Sequence, residues 1–342
     1  MRFLIWGTGA IGGTMGAHLA HAGHEVTVVD SDRDHVSAIQ HGGLRVEGPL
    51  AELTVNVPAY TPDTLAGEWN TIILATKAQH TQEAAAALLP HLTQDGCVIS
   101  AQNGLNELAI ASVVGPQRTV GAFVNFGADY IAPGVIHHGG RGAVVVGELD
   151  GQLSPRVREI RDAWADFDRD AIVTQNIWGY LWGKEAYGAM LFATALTNES
   201  IADALADARY RALYIALGRE ILSVAVYRGV TTEAFDGFNP AAFLPTATDD
   251  AAGRSIDDLV TFNRRSAKTH SGIWRDLAIR KRPTEVDAQL GIVVRLAAES
   301  AVPTPLTARL VQLVHDIEAG VRMQSLETLD VLAALCVSKN PA

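Results

Sequence analysis

The chain opens with a short apolar segment that runs directly into a glycine-rich turn, and this junction constrains the fold more than any other feature. Residues 1–6 lead into Gly7-Thr-Gly9-Ala-Ile-Gly12, a G-x-G-x-x-G sequence. The first glycine permits a tight turn out of a strand, and the second lets backbone N–H groups approach a pyrophosphate. The third lets the next helix pack closely on the sheet. The candidate cofactor-binding residues of this turn are Gly7, Thr8, Gly9, Ala10, Ile11 and Gly12.

The segments after the turn complete a strand–helix–strand (βαβ) unit. Residues 10–20 have the apolar spacing of a helix, Gly23 ends it, and residues 24–30 alternate as a second strand that stops on Asp30. In this βαβ unit an acid at that strand end accepts hydrogen bonds from the ribose hydroxyls. Asp30 therefore favours NAD over NADP, because a 2′-phosphate would meet like charge. The alternative is that Asp30 only caps the helix that begins just beyond it.

The length and the charge of the chain limit the classes of protein to which it can belong. A chain of 342 residues exceeds what one hydrophobic core usually supports, so two domains are expected. The formal charge of −11 disfavours nucleic acid or an anionic membrane as partner. No apolar run approaches the roughly 20 residues that span a bilayer, and Cys97 and Cys336 form neither metal-ligand spacing nor a disulfide framework. A cytoplasmic protein without metal is expected.

Strand-like and helix-like segments alternate through the first half of the chain. Residues 69–76 and 96–100 are short apolar runs typical of buried parallel strands. The alternation predicts an α/β fold with a Rossmann-type doubly wound sheet, and residues 119–148 are expected as its antiparallel edge. An all-helical half follows. The expected domains are 1–175, which binds the dinucleotide, and 176–342, which binds substrate and carries the catalytic groups.

Two polar residues stand at the ends of predicted parallel strands. Lys77 and Asn103 follow the apolar runs at 69–76 and 96–100. Ligands of doubly wound sheets bind at the carboxyl ends of the strands, so both side chains are candidates for contact with the cofactor, and Asn103 also with the substrate. The structural alternatives are a solvated helix start for Lys77 and a turn residue before glycine for Asn103.

The helical half contains two passages rich in reactive side chains. Lys184 stands before Glu185 and the uncharged run 186–197. A lysine at the start of such a run either extends its ammonium to water or is kept for proton transfer. His270, Ser271 and Glu285 lie in a second passage. His270 and Ser271 are candidates to bind a substrate carboxylate, and Glu285 is a candidate to bind substrate and to pair with Lys184. The simpler interpretation is a structural histidine and an acidic first helical turn.

The ordered motifs of the chain together resemble the ketopantoate reductase family. They are Thr76-Lys77-Ala78, Gln102-Asn103-Gly104, the glycine-rich hairpin 133–147, the passage 176–184 and Arg282-Pro-Thr-Glu285-Val-Asp287. The resemblance implies a Rossmann domain, a helical domain and an active site in the cleft between them. It further implies that Lys184 is the general acid, that Glu285 positions substrate and lysine, and that Lys77 and Asn103 line the nicotinamide ribose. A serine near Ser271 would bind the substrate carboxylate.

The chain departs from the family pattern at the substrate pocket and the cofactor site. Gly188 and Phe192 stand where the family places asparagines that hold the substrate hydroxyl, and Ser31 follows Asp30 where a basic residue reads NADP. Relative to that pattern a short insertion lies between Asp276 and Glu285, so the pattern assigns the carboxylate contact to a serine near Ser271 and not to one fixed position.

We therefore expect an NAD-dependent enzyme that interconverts a small hydroxy acid and its oxo acid. The expected direction is oxidation of the hydroxy acid. The alternatives are 2-dehydropantoate 2-reductase itself and a non-catalytic NAD(H)-sensing module. The apolar C-terminal helices are compatible with a role in the core or in the interface of a homodimer.

Overall fold

The computed structural model describes residues 1–265 and 269–337. The chain divides into two compact units, Met1–Ile177 and Trp178–Ala342. All strands of the described residues lie in the first unit. They are β1 (Arg2–Trp6), β2 (Glu25–Val29), β3 (Leu44–Glu47), β4 (Leu53–Val55), β5 (Ala59–Tyr60), β6 (Trp69–Leu74), β7 (Leu92–Ser100), β8 (Thr119–Val124), β9 (Gly127–Ala132), β10 (Val135–Gly140), β11 (Val144–Glu148) and β12 (Ile172–Val173).

The main sheet of the first unit has eight strands in the order β12-β11-β8-β7-β6-β1-β2-β5. Within it, the six adjacent strands from β8 to β5 run parallel to one another. The chain goes from β1 to β2 on one side and later to β6 on the other. The turn after β1 therefore lies where the direction of winding reverses, which is the ligand-binding edge of such sheets.

Helices cover both faces of this sheet because its central strands are apolar on both sides. Phe3 and Ile5 of β1 belong to one buried cluster, and Leu4 and Trp6 belong to another. Successive side chains of a strand point to opposite faces, so a strand buried on both faces has a continuous apolar sequence. The helices of this unit are α1 (Ala10–His21), α2 (Arg33–Gly42), α3 (Thr81–Leu88), α4 (Glu107–Val114) and α5 (Pro155–Trp164).

The expected antiparallel edge at 119–148 is only partly what the structure shows. The strand β11 pairs antiparallel with β8 in the main sheet, but β8 itself is parallel to β7. The hairpin β9–β10 leaves the main sheet and joins β3 and β4 in a separate sheet of four strands, ordered β4-β3-β10-β9. The strand β10 pairs in parallel with the distant β3, a partner that the local glycine spacing does not specify.

The described part of the second unit is helical. Its helices are α6 (Ile177–Thr194), α7 (Ile201–Ala206), α8 (Arg211–Tyr227), α9 (Asp249–Arg265), α10 (Gly272–Arg275), α11 (Ile292–Glu299), α12 (Pro305–Glu318) and α13 (Leu326–Val337). Two π-helical segments, Asp276–Arg280 and Asp287–Gly291, lie between α10 and α11. The predicted fold class, a Rossmann-type sheet followed by helices, is confirmed.

Candidate active site

The glycine turn is built as its sequence predicts. Gly7 has φ of +94°, and a Cβ there would lie 2.6 Å from the backbone nitrogen of Thr76. A Cβ at Gly12 would overlap the carbonyl oxygen of Gly7, so that position also excludes a side chain. Gly9 differs, because a Cβ there would meet nothing within 4 Å. Gly9 is the N-cap of α1 and makes no side-chain cap hydrogen bond. The open side of the turn is therefore the uncapped N-terminus of a helix, which favours anions.

Asp30 is hydrogen-bonded to this turn. Its Oδ2 accepts a hydrogen bond from the backbone N–H of Thr8 at 2.8 Å, and its Oδ1 accepts one from the N–H of Asp32 at 3.0 Å. The capping role is taken by Asp32, whose carboxylate accepts from the N–H groups of Asp34 and His35 at the start of α2. The alternative that Asp30 only caps α2 is therefore wrong. The Asp30 carboxylate is held beside the glycine turn at the end of β2.

His35 is a further support of the turn that sequence reasoning missed. It is fully buried, and its Nδ1 accepts a hydrogen bond from the backbone N–H of Gly134 at 2.9 Å. The proton of the neutral ring is then on Nε2, which donates to the carbonyl oxygen of Thr8 at 2.9 Å. The Thr8 hydroxyl donates to the carbonyl of Val29. Thr8 is thus fixed at its N–H, carbonyl and side chain.

Lys77 and Asn103 lie at the same edge of the main sheet as the turn. The strands β7, β6, β1 and β2 are adjacent and parallel, so their carboxyl ends carry Asn103, Lys77, the glycine turn and Asp30 in that order. Both side chains are exposed. The buried amide of Gln102 donates to the carbonyl oxygen of Thr76 at 2.8 Å and so ties the two neighbouring strand ends together.

A buried carboxyl group lies next to Lys184 in the helical unit. Lys184 and Glu185 are consecutive on α6; Lys184 is half-buried, whereas Glu185 is only 2% exposed. Burial raises the pKa of Glu185 to about 8; the charge of Lys184 opposes this rise, and that of Glu285 adds to it. Both predicted catalytic residues therefore act electrostatically on one carboxyl group. Nothing in the local sequence indicated that Glu185 is buried.

The two positions that depart from the family pattern have different surroundings. Residues 184, 188 and 192 follow at intervals of four, so they lie along one side of α6. Phe192 is fully buried in the core of the unit. Gly188 is partly exposed, and a Cβ there would lie 3.8 Å from Oε1 of Gln289, the nearest atom.

The other predicted substrate-binding residues have local partners. Ser271 is buried and caps α10, where its hydroxyl oxygen accepts a hydrogen bond from the N–H of Trp274 at 3.1 Å. The ring of His270 lies against the ring of Trp274, with the centroids 4.0 Å apart and the planes tilted by 34°. Glu285 is half-buried and directly follows Thr284, whose N–H and hydroxyl both donate to Glu318. Ser271 and His270 thus have structural roles in this unit. Their predicted contact with a substrate carboxylate stays a prediction.

Two findings concern membranes and metals in residues 1–265 and 269–337. No helix in that part of the chain has the length and apolar character needed to cross a bilayer. The same residues contain no group of three or more histidine, cysteine, aspartate or glutamate side chains placed to hold a metal ion.

Comparison with known proteins identifies the family. The family model described as "Ketopantoate reductase PanE/ApbA" matches residues 3–151, and its C-terminal companion matches residues 176–318. A 2-dehydropantoate 2-reductase of Pyrococcus horikoshii is 30% identical over 232 residues, which are 67% of this chain and 75% of that protein.

Two solved structures show the same fold. A PanE/ApbA family ketopantoate reductase from Ralstonia eutropha JMP134 has a TM-score of 0.78 at 25% identity, covering 94% of this chain and 99% of that one. D-mandelate dehydrogenase in complex with NADH and anilino(oxo)acetate has a TM-score of 0.82 at 21% identity over the same shares of the chains. Both family models together span most of the sequence. The chain therefore belongs to the ketopantoate reductase family of oxidoreductases, which use a nicotinamide cofactor.

Proposed function

We propose that this member of the family is an NAD-dependent dehydrogenase that interconverts a small hydroxy acid and the corresponding oxo acid. The observation that carries the proposal is the buried carboxyl of Glu185 on α6, on which the charges of Lys184 and Glu285 both act. A lysine and a glutamate whose charges reach the same buried carboxyl are suited to move a proton and to hold a polar substrate. D-mandelate dehydrogenase, which shares the fold, is named for a hydroxy-acid substrate and is bound to NADH.

The residues at the edge of the main sheet fit a nicotinamide dinucleotide. The side of Gly9 is open, the N-terminus of α1 has no side-chain cap, and the Asp30 carboxylate stands at the end of β2. Backbone N–H groups of residues 9–12 would hold the pyrophosphate, Asp30 the adenosine ribose, and Lys77 and Asn103 the nicotinamide side. When bound, this cofactor supplies the hydride acceptor or donor.

The chain's own residues would transfer the proton and bind the substrate carboxylate. In the oxidation, neutral Lys184 takes the proton from the substrate hydroxyl through its Nζ while the O–H bond breaks and the C=O bond forms. The electron pair of the adjacent C–H bond leaves as hydride. In the reverse reaction the Lys184 ammonium returns the proton to the oxo group. Glu285 orients substrate and lysine, and Ser271 and His270 donate hydrogen bonds to the substrate carboxylate.

We propose oxidation as the working direction, because Asp30 favours NAD and NAD accepts the hydride when a hydroxy acid is oxidised. A second candidate is 2-dehydropantoate 2-reductase itself, which the names of the relatives favour. Gly188 and Phe192 argue against it, since neither offers the polar contact that a hydroxylated substrate needs from those positions. The two candidates are tested by turnover with NAD and NADP on a panel of hydroxy acids and sugar acids, with 2-dehydropantoate included for the reduction. NAD-dependent oxidation of a panel member supports the dehydrogenase, and NADPH-dependent reduction of 2-dehydropantoate alone supports the reductase.

Removing the charge of Asp30 is expected to weaken the discrimination against NADP. In Asp30→Asn the side-chain oxygen still accepts the hydrogen bond of Thr8, whereas the bond from the N–H of Asp32 and the repulsion of a 2′-phosphate are both lost. The ratio of kcat/KM for NAD over NADP should fall by about 10-fold or more, through a lower KM for NADP. The matched control is Asp32→Asn, which removes the same charge two residues later and keeps a good N-cap. Equal ratios in the two variants would argue against this role of Asp30.

A further inference from the structure

His35 connects the glycine turn to the four-stranded sheet. It lies on α2 and is fully buried, and its Nε2 donates to the carbonyl oxygen of Thr8 at 2.9 Å. Its Nδ1 accepts a hydrogen bond, also of 2.9 Å, from the N–H of Gly134 between β9 and β10. The ring of Tyr130 on β9 lies against the imidazole, with the centroids 5.1 Å apart. The hairpin β9–β10 therefore contacts the imidazole both at a nitrogen and on the ring.

The hydrogen bond from His35 sets the orientation of the peptide between Thr8 and Gly9. This peptide is trans, so its carbonyl and its N–H point in opposite directions. The carbonyl of Thr8 points to the buried imidazole, and the N–H of Gly9 therefore points away from it. That N–H lies at the N-terminus of α1, at the residue where an added Cβ would meet no atom within 4 Å.

The glycine sequence alone does not fix this peptide. Positions 7 and 12 of the turn lie against backbone atoms, whereas nothing packs on the α-carbon of Gly9. A glycine without such contacts leaves its neighbouring peptides free to rotate. The bond of the Thr8 N–H to Asp30 holds the peptide before Thr8, and the bond to His35 holds the peptide after it. A donor that is oriented before the ligand arrives binds it more tightly, because less freedom is lost on binding.

We infer that His35 is a positioning residue of the cofactor site, which aims the N–H of Gly9 at the pyrophosphate and couples the hairpin β9–β10 to dinucleotide binding. The inference rests on the proposed function, since it takes NAD(H) as the ligand of the turn. Coupling between two sites is reciprocal. A bound dinucleotide should therefore also stabilise the hydrogen bond between His35 and Gly134.

Two variants of His35 separate its two hydrogen bonds. In His35→Gln the amide extends about as far as Nε2 and still donates to Thr8. In His35→Asn the shorter amide ends near the place of Nδ1, where it accepts from Gly134 but does not reach Thr8. The Kd of NADH, measured by fluorescence titration, should rise by about 10-fold in His35→Asn. In His35→Gln it should stay within about 3-fold of the native value.

Val46→Ala is the control for general loss of stability. Val46 is fully buried on β3 and pairs with β10, so its truncation weakens the four-stranded sheet while both hydrogen bonds of His35 remain. Urea unfolding should show a lower free energy of unfolding, with the Kd of NADH within about 2-fold of native. A native Kd in His35→Asn, or an equal rise of Kd in Val46→Ala, would show that the inference is wrong.

A measurement on the native protein tests the coupling without any variant of His35. Saturating NADH should slow hydrogen exchange of the Gly134 amide by about 5-fold or more. The amide of Gly115, bonded to the carbonyl of Ala111 at the end of α4, reports general slowing and should change by less than about 2-fold. Equal slowing at both amides, or none at Gly134, contradicts the inference and leaves NADH binding intact. A native protein that binds neither NADH nor NADPH would instead refute the proposed cofactor site, and the inference with it.

Discussion

Lys184→Ala is expected to lower kcat for hydroxy-acid oxidation by about 10²- to 10⁴-fold, the usual contribution of a general acid or base. The Kd of NADH should change by less than about 3-fold, because the proposed cofactor residues lie at the edge of the main sheet and Lys184 lies on α6. Steady-state kinetics and a fluorescence titration with NADH measure the two quantities. Their separation distinguishes lost proton transfer from general damage to the protein.

The matched control for this variant is Lys281→Ala. Lys281 is an exposed lysine of the same unit, so its removal changes the net charge equally. We expect its kcat to stay within about 2-fold of the native value, as for most surface substitutions. Similar losses in both variants would show that the effect of Lys184→Ala comes from charge rather than from proton transfer. Native activity in Lys184→Ala would refute the mechanism.

Glu185→Gln is expected to stabilise the protein at neutral and alkaline pH. The pKa of Glu185 rises from 4.5 to about 8 on folding, chiefly because of burial. Between these values the folded state holds a proton that the unfolded state has released, so the free energy of unfolding falls as pH rises and levels off above pH 8. The loss reaches on the order of 4 kcal/mol at pH 8. Glutamine fills the same space without ionising, so the variant lacks this loss.

Urea unfolding between pH 4.5 and pH 8 measures this slope. The control is Glu199→Gln, which changes an exposed glutamate in the same unit and should leave the slope unchanged. The histidines His18 and His138, whose pKa values burial lowers, act in the opposite direction in both proteins, so the difference between the two slopes reports Glu185. A Glu185→Gln variant with the native slope would contradict the burial of an uncharged Glu185.

The parts of the site that the sequence predicted are those that depend on local backbone geometry. Gly7 needs a positive φ, and Gly12 lies against the carbonyl of Gly7, so the motif itself encodes the turn. The acid at the end of β2 was likewise predictable, because a βαβ unit fixes its distance along the chain from the turn. The parallel order of β7, β6, β1 and β2 then follows from the alternation of strands and helices.

The missed parts depend on residues that are distant in the sequence. His35 supports Thr8 only because the hairpin turn at Gly134 supplies a partner 99 positions away. The second sheet exists because β10 pairs with β3, and one strand does not identify its partner. Glu185 and Gln289 are polar residue types that usually lie at the protein surface. Only tertiary packing, which the local sequence does not show, buries them.

In the proposed reaction, hydride and proton leave one hydroxy acid together, and Lys184 takes the proton. The most direct measurement is a single turnover in which the protein, in excess over NAD, is mixed with each acid of the panel and the absorbance of reduced nicotinamide is followed. We expect reduction of NAD with at least one acid in the native protein, and a rate lower by about 10²-fold or more in Lys184→Ala. Tight binding of NAD without its reduction by any acid, or equal rates in the two proteins, would contradict the account.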